Sequence, residues 1–112
     1  MFGFQRLDAY QASAQFLGVA SKLTSGIPRG HGDLADQLRR AALSIPLNVA
    51  EGSGKFGKDA SRFYAIARGS ALECAAILDA LEAMVILDQA VVEGPRKLLE
   101  RIVQMLTRLI RT

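Results

Sequence analysis

Tryptophan is absent from the chain, and five Phe and two Tyr are its only aromatic residues. Half of the residues are nevertheless hydrophobic, so disorder is not expected. Ala, Leu and Ile must fill the core, which favours closely packed helices over an all-β sandwich rich in aromatic and β-branched strands. Cys74 is the single cysteine. No intrachain disulfide can form, and a cytoplasmic address is the simplest expectation. His31 is the single histidine and lies in a Gly-rich segment, so no His/Cys metal cluster is available. One loop His and one core-facing Cys also make a Ser-His-Asp or Cys-His catalytic arrangement improbable. No basic-then-apolar leader opens the chain. The most apolar run, Ala71 to Val92, is broken by Glu73, Asp79, Glu82 and Asp88, and four carboxylates argue against a membrane span. With 112 residues, one domain with one core is expected over 1–112.

Charge is mildly unbalanced. Fourteen Lys and Arg against eleven Asp and Glu give a formal net charge of +3. That permits a nucleic-acid partner without demanding one.

Apolar residues recur at helical spacing almost everywhere, and no segment alternates cleanly over strand length. Breakers at Ser25 to Gly32, at Gly52 to Gly57 and, more weakly, around Leu87-Asp88 divide the chain into four segments. The first helix is expected from about Leu7 to Thr24, with Leu7, Tyr10, Ala14, Leu17 and Ala20 or Ser21 as its stripe. The second runs from about Asp33, a suitable N-cap, to Ser53, with Leu34, Leu38, Ala41, Ile45 and Val49 inward. The third runs from about Asp59 to Leu87, with Phe63, Ala67, Ala71, Cys74, Leu78, Leu81 and Val85 on one face. The fourth ends at Arg111 and begins either at Gln89 or at Pro95, a residue suited to a first helical turn. Short connections make neighbouring helices antiparallel. The fold class is therefore all-α, an antiparallel up-down-up-down four-helix bundle.

Gly52-Ser53-Gly54-Lys55-Phe56-Gly57-Lys58-Asp59 fits G-x-x-x-x-G-K, the opening of a phosphate-cradling loop. Such a loop needs a buried strand before it and a hydroxyl after its Lys for Mg²⁺. Here the lead-in has helical period, and Asp59 stands where the hydroxyl belongs. A helix-ending turn explains the stretch better: Gly52 or Gly54 takes the left-handed conformation, Gly57 allows the turn and Asp59 caps or charges the start of the next helix. Neither a nucleotide nor any other cofactor or small-molecule substrate is expected. Lys55, Lys58 and Arg62 remain candidates to touch the phosphates of a larger partner.

Several residues do not suit a plain bundle. Pro46 falls inside the second helix, where its ring removes one backbone bond and a kink is expected; the bend either shapes an interface or is simply tolerated. Asn48 falls beside the inward stripe, so its amide needs partners. An antiparallel second and third helix brings Asn48 near Phe63 and Ala67, Arg39 or Arg40 near Glu73, and Glu51 near Arg62. A polar network of Arg39, Arg40, Asn48, Glu51, Ser70 and Glu73 is expected between these helices. Glu51 and Glu73 stand too far apart for one acid–base centre, so the network serves to fix register or an interface. Leu43 and Leu47 point away from the stripe and would be exposed in an isolated bundle, which argues for self-association. The fourth helix carries Lys97, Arg101, Arg108 and Arg111 on its outer face with no interleaved aromatic. A nucleic-acid contact there would be to the backbone and salt-sensitive.

The segment Gln37-Leu38-Arg39-Arg40-Ala41-Ala42-Leu43-Ser44-Ile45-Pro46-Leu47-Asn48-Val49-Ala50-Glu51-Gly52 resembles the signature QLRRAxxSIPxNIAEG. Arg62-Phe63, Ile66-Ala67 and Gly69-Ser70-Ala71-Leu72-Glu73 resemble a second signature, RF-x-x-IA-x-GS-x-x-E. Both are signatures of the bacterial four-helix-bundle proteins encoded in intervening sequences of 23S rRNA genes, and the resemblance covers nearly the whole chain. It implies a bundle that assembles as a ring-like homopentamer. It also implies similarity to the accessory variability protein of diversity-generating retroelements, a basic pentameric barrel that binds nucleic acid. Carried onto this chain, the signature positions are Arg39, Arg40, Ser44, Pro46, Asn48, Glu51, Gly52, Gly69, Ser70 and Glu73. Val49 stands where Ile is more usual.

Taken together, the residues and the resemblance lead to a cytoplasmic, non-enzymatic homo-oligomer that binds RNA or DNA backbone through basic surfaces. The alternative is a protein-interaction scaffold that binds no nucleic acid.

Overall fold

The computed structural model describes residues 1–111 and places four long helices around one hydrophobic core. They are α1 (Asp8–Ser25), α2 (Gly32–Ser53), α3 (Gly57–Ala83) and α4 (Gln89–Arg111). Short 3-10 turns, Gly3–Arg6 and Arg29–His31, precede α1 and α2. Among the described residues there is no strand, and no helix is long and apolar enough to cross a membrane. Each helix packs on its chain neighbours, and α4 closes the ring of contacts by packing on α1. Among the described residues no Cα of α1 comes within 8 Å of one in α3, and none of α2 within 8 Å of one in α4. This is the expected up-down-up-down bundle, 43 Å long and about half as wide (22 × 20 Å).

The core is built as the composition requires. Phe16 is its only fully buried aromatic; around it Leu38, Ile45, Val49, Leu78, Leu81, Leu99, Ile102 and Leu106 are sealed from solvent, with alanines between them. The stripe on α2 is the expected one, although Leu34 is only partly covered. On α1 the buried stripe is rotated from the expected one. Ala9, Ala12, Ser13, Phe16, Ala20 and Thr24 are buried, whereas Ala14 and Ser21 are exposed and Leu7, Tyr10 and Leu17 only half-buried. Alanine suits both core and surface, so α1 carries two adjacent apolar stripes.

Helix ends differ in informative ways. Asp33 is not an N-cap, since α2 begins at Gly32, and of the two roles expected for Asp59 the structure has the second: both carboxylates lie in first turns, where they face the positive end of the helix dipole. In the α2–α3 turn the left-handed residue is Gly57, at φ +55°, not Gly52 or Gly54. Gly52 is buried within α2. The helix continues through Pro46, whose ring is buried. Likewise α4 takes the earlier of the two expected starts, so Pro95 lies inside it. The third helix ends before Leu87, at Ala83. Val85 leaves the inner face it was expected to share; it is 84% exposed and adopts φ +58°.

The α3–α4 corner is tied by Arg96. Its Nη2 donates to Asp79 at 2.7 Å and to Glu82 at 2.8 Å, and its Nη1 reaches Glu93 at 3.4 Å. These bonds, to Glu82 first and Asp79 second, hold the guanidinium still further above its ordinary pKa. The α3 partners are 14 and 17 residues away in sequence, so one side chain fixes where the last turn of α3 meets the second turn of α4.

Candidate functional site

The signature residues gather along the seam between α2 and α3. Ser70 Oγ donates to Ser44 Oγ at 2.8 Å. Asn48 Nδ2 donates to the same hydroxyl oxygen at 3.0 Å and to the Ser44 carbonyl at 2.8 Å. Ser44 is thus the hub through which Asn48 and Ser70 are joined. These bonds fix the register of the helix pair, placing Asn48 level with Ile66 and Ala67. Next to this hub, towards the start of α2, a cleft of about 490 Å³ is lined by Asp33, Gln37, Arg40, Ser44, Ser70 and Glu73. Glu73 accepts from Gln37 Nε2 at 3.3 Å.

The expected six-residue network is therefore brought together only in part. Arg40 and Glu73 face one cleft, and Asn48 and Ser70 share a partner. Arg39 turns instead to Asp36, at 3.1 Å. Glu51 has no ion pair among the described residues; Arg62, its expected neighbour, pairs with Asp59 at 3.6 Å and lies over the Phe63 ring. The two linkers that sequence reasoning assigned no place in the network, Ser44 and Gln37, are uncharged. Both lie on the same side of α2 as Asn48, which is the signal that could have found them.

Leu43 and Leu47 form a ridge on the outer side of α2, 45% and 58% exposed. One turn apart and opposite the Leu38–Ile45–Val49 face, they are the exposed pair the sequence led us to expect.

The basic residues fall into two groups. Lys55, Lys58 and Arg62 surround the α2–α3 turn, where Lys55 Nζ also stands 5.9 Å from the Phe63 ring centre. Lys97, Arg101 and Arg108 lie along the outer side of α4, where Arg101 and Arg108 border α1. Arg101 lines a cavity of about 350 Å³ with Asp8, Gln11, Gln15 and Met105. Arg108 lines an adjoining one of about 260 Å³ with Leu7, Asp8 and Met105. Lys97 sits at the opposite end of the bundle from the α2–α3 turn and reaches Glu93 at 3.9 Å. Arg101 and Arg108 have no ion pair among the described residues. The stripe spans about 16 Å from Lys97 to Arg108, at the rise of an α-helix.

Cys74 is sealed in the core of α3. Burial first, and the charge of Glu73 second, push its thiol up to about 12, so it stays protonated and unreactive near neutral pH. Among the described residues no group of three or more His, Cys, Asp or Glu side chains could hold a metal ion.

The profile of one sequence family, the 23S rRNA-intervening sequence protein, matches residues 5–108. A solved structure from Bacteroides thetaiotaomicron VPI-5482, described as a protein with unknown function from the S23 ribosomal protein family, superposes with a TM-score of 0.86. The alignment covers 93% of this chain and 99% of that one at 20% sequence identity. At that identity the likeness speaks for the fold. No curated protein sequence matches the chain.

Proposed function

The chain belongs to the 23S rRNA-intervening sequence protein family, and from that premise we propose that it is a non-enzymatic homo-oligomer that binds the phosphate backbone of nucleic acid, RNA foremost, along the α1–α4 face. The observation that carries this reading is the α4 stripe. Lys97, Arg101 and Arg108 share one side of the helix, and Gln11 and Gln15 of α1 stand across the seam as neutral hydrogen-bonding groups. Arginine forks match phosphate oxygens, and no aromatic platform for base stacking lies between them, so the contact is to backbone and not to sequence.

Assembly strengthens the attraction. The Leu43–Leu47 ridge is on α2, diagonal to α4, so a copy that makes a contact through its ridge does not use its own basic stripe for it. The family resemblance points to five copies. Each carries +3, so one particle would present about +15 to a polyanion.

Fluorescence anisotropy with labelled single-stranded RNA and duplex DNA, across a salt series and on protein of measured mass, tests the reading. Binding should weaken steeply and linearly in log K against log salt. Arg101→Glu with Arg108→Glu should lower affinity at least tenfold and flatten the slope. An intact oligomer that binds neither probe at low salt would overturn the nucleic-acid reading and leave the protein scaffold.

A further inference from the structure

Every aromatic residue except Phe16 lies at one end of the bundle, where the N-terminal turn, the α2–α3 turn and the end of α4 meet. Phe2 and Phe56 are the exposed ones, at 72% and 90%. Both are set on fixed backbone. Phe2 N–H donates to Gln5 Oε1 at 2.7 Å, and the Phe2 carbonyl accepts from Gln5 N–H. Phe56 heads α3, where its carbonyl accepts from the N–H groups of Asp59 and Ala60. The Phe2 ring stacks on Phe4 with 8° between their planes, and Phe4 meets Tyr10 edge-on. Beside them opens a cleft of about 520 Å³ lined by Phe2, Phe4, Ser53, Gly54 and Tyr64. Gly54 is two residues before Phe56.

Resting on the nucleic-acid reading above, we propose that this end is a second contact, made with the unpaired bases of a single strand: Phe2 and Phe56 stack on bases, and Arg6, Lys55 and Lys58 hold the phosphates beside them. Charge argues for this occupant. Lys55 and Lys58 flank Phe56 in sequence, and Arg6 closes the turn that carries Phe2. None of the three cations has an ion pair among the described residues. Exposed rings beside unpaired cations call for a partner that is at once flat, apolar and negative. A nucleic acid meets that demand where its bases are free of pairing, because every base then offers a π-face next to a phosphate.

Ring geometry argues the same way. Phe4 covers one face of Phe2 in a parallel stack, so the other face lies flat towards the solvent and a base continues the stack. The acyl chains of a membrane, the other partner that is apolar and negative at its surface, draw no benefit from a flat face. The site is also continuous with the α4 stripe. Leu7 lines both the aromatic cleft and the cavity that Arg108 borders. A strand whose backbone follows Arg101 and Arg108 towards the end of α4 is thereby led to the rings that the stripe itself lacks.

The test compares three labelled probes of equal length by anisotropy at one salt concentration: an RNA strand, the same strand paired as a duplex, and an abasic strand that keeps the phosphates and lacks the bases. Wild type should bind the RNA strand about fivefold or more tighter than either of the others. Phe2→Ala and Phe56→Ala should each remove most of that preference and leave abasic binding and the salt slope as they are. Lys55→Gln with Lys58→Gln should instead flatten the slope by about 0.7 for each lysine. Phe56→Trp keeps a stacking ring and gives the chain its only tryptophan; its affinity should match wild type and the RNA strand should quench its emission. Equal affinity for all three probes, or alanine variants that bind the RNA strand like wild type, would overturn the stacking site and leave the backbone reading standing. An intact chain that binds no probe at low salt would overturn both. Emission that shifts on phosphatidylserine-containing vesicles and not on the strand would assign this end to a membrane surface, and a Phe56→Ala chain of altered oligomeric mass would assign it to a neighbouring copy; either result overturns the proposal.

Discussion

A methyl group placed on Gly52 would lie 2.8 Å from Cε1 of Tyr64, 3.0 Å from its Cδ1 and 3.2 Å from the carbonyl oxygen of Ala60. The last turn of α2 thus approaches α3 so closely that only a hydrogen fits between them. Gly52 costs α2 about 1 kcal/mol of helix propensity relative to Ala, and close packing of the two helices offsets that cost. The backbone oxygen cannot move aside as a flexible side chain could.

Gly52→Ala should therefore destabilise the fold, by about 1 kcal/mol net, since overpacking of about 1–3 kcal/mol outweighs the gain in propensity. Gly69→Ala is the control. Gly69 is exposed inside α3 and a Cβ there would meet nothing within 4 Å, so the same substitution should stabilise by about 0.5–1 kcal/mol. Chemical denaturation of both variants checks the pair of signs. A Gly52→Ala chain as stable as Gly69→Ala would mean that Tyr64 swings away freely.

Ser44 is the next test of the seam. Its hydroxyl accepts from both Ser70 and Asn48. Ser44→Ala strips an acceptor from two donors, one of them the buried Ser70, and should cost about 1–3 kcal/mol. Ser70→Ala removes only one donor and should cost less. The double variant should lose less than the sum of the two, because an apolar pair leaves no orphaned hydroxyl at that point. Additive losses in a double-mutant cycle would show that the hydroxyls are not coupled.

Much of this arrangement was legible in the residues. Leu38, Ala41, Ile45 and Val49 sit on one side of α2 and Leu43 and Leu47 on the other because the 3.6-residue period fixes their phase. The α1 stripe was not legible, since alanine does not distinguish core from surface; only Phe16, at the right spacing from Ala9, Ala12 and Ala20, marks the buried side. The level of Arg96 against Asp79 and Glu82 depends on where α3 stops, and nothing near Val85 announces a stop by Gly or Pro. The Lys97–Glu93 pair was open to reading from its four-residue spacing alone.

Cys74 gives a pH signature. Its thiol is raised from an ordinary 9.0 to about 12 by burial and by Glu73. The folded state therefore favours the protonated thiol, and the unfolded chain gains by ionising first. The contribution is complete below pH 9 and is lost as pH climbs from 9 towards 12. Over that window wild type should lose stability faster than Cys74→Ala by up to about 1.4 kcal/mol per pH unit. Denaturation curves of the two chains at several alkaline pH values measure the difference. Equal slopes would mean that the thiol titrates normally, and a native chain labelled quickly by a thiol reagent at pH 8 would point the same way.

Val85 carries the last prediction. It is β-branched, lies 84% exposed and holds φ +58°, a conformation in which a Cβ crowds the backbone at a cost of roughly 1–2 kcal/mol. The surrounding bonds impose it: Met84 N–H donates to the Ala80 carbonyl, Val85 N–H to that of Glu82, and both Ile86 and Leu87 N–H to that of Leu81. That set satisfies the closing carbonyls of α3 and returns Ile86 and Leu87 to the edge of the core. Glycine adopts the same conformation without the crowding, and its greater freedom in the unfolded chain takes back part of the gain. Val85→Gly should thus stabilise by about 0.5–1 kcal/mol and raise Tm by a few degrees. Val85→Ala, which keeps a Cβ, should stay near wild type. A Val85→Gly chain that melts lower than wild type would mean that the valine side chain makes a contact which outweighs its strain, and the exposed end of α3 would then have to be covered in the protein as it works.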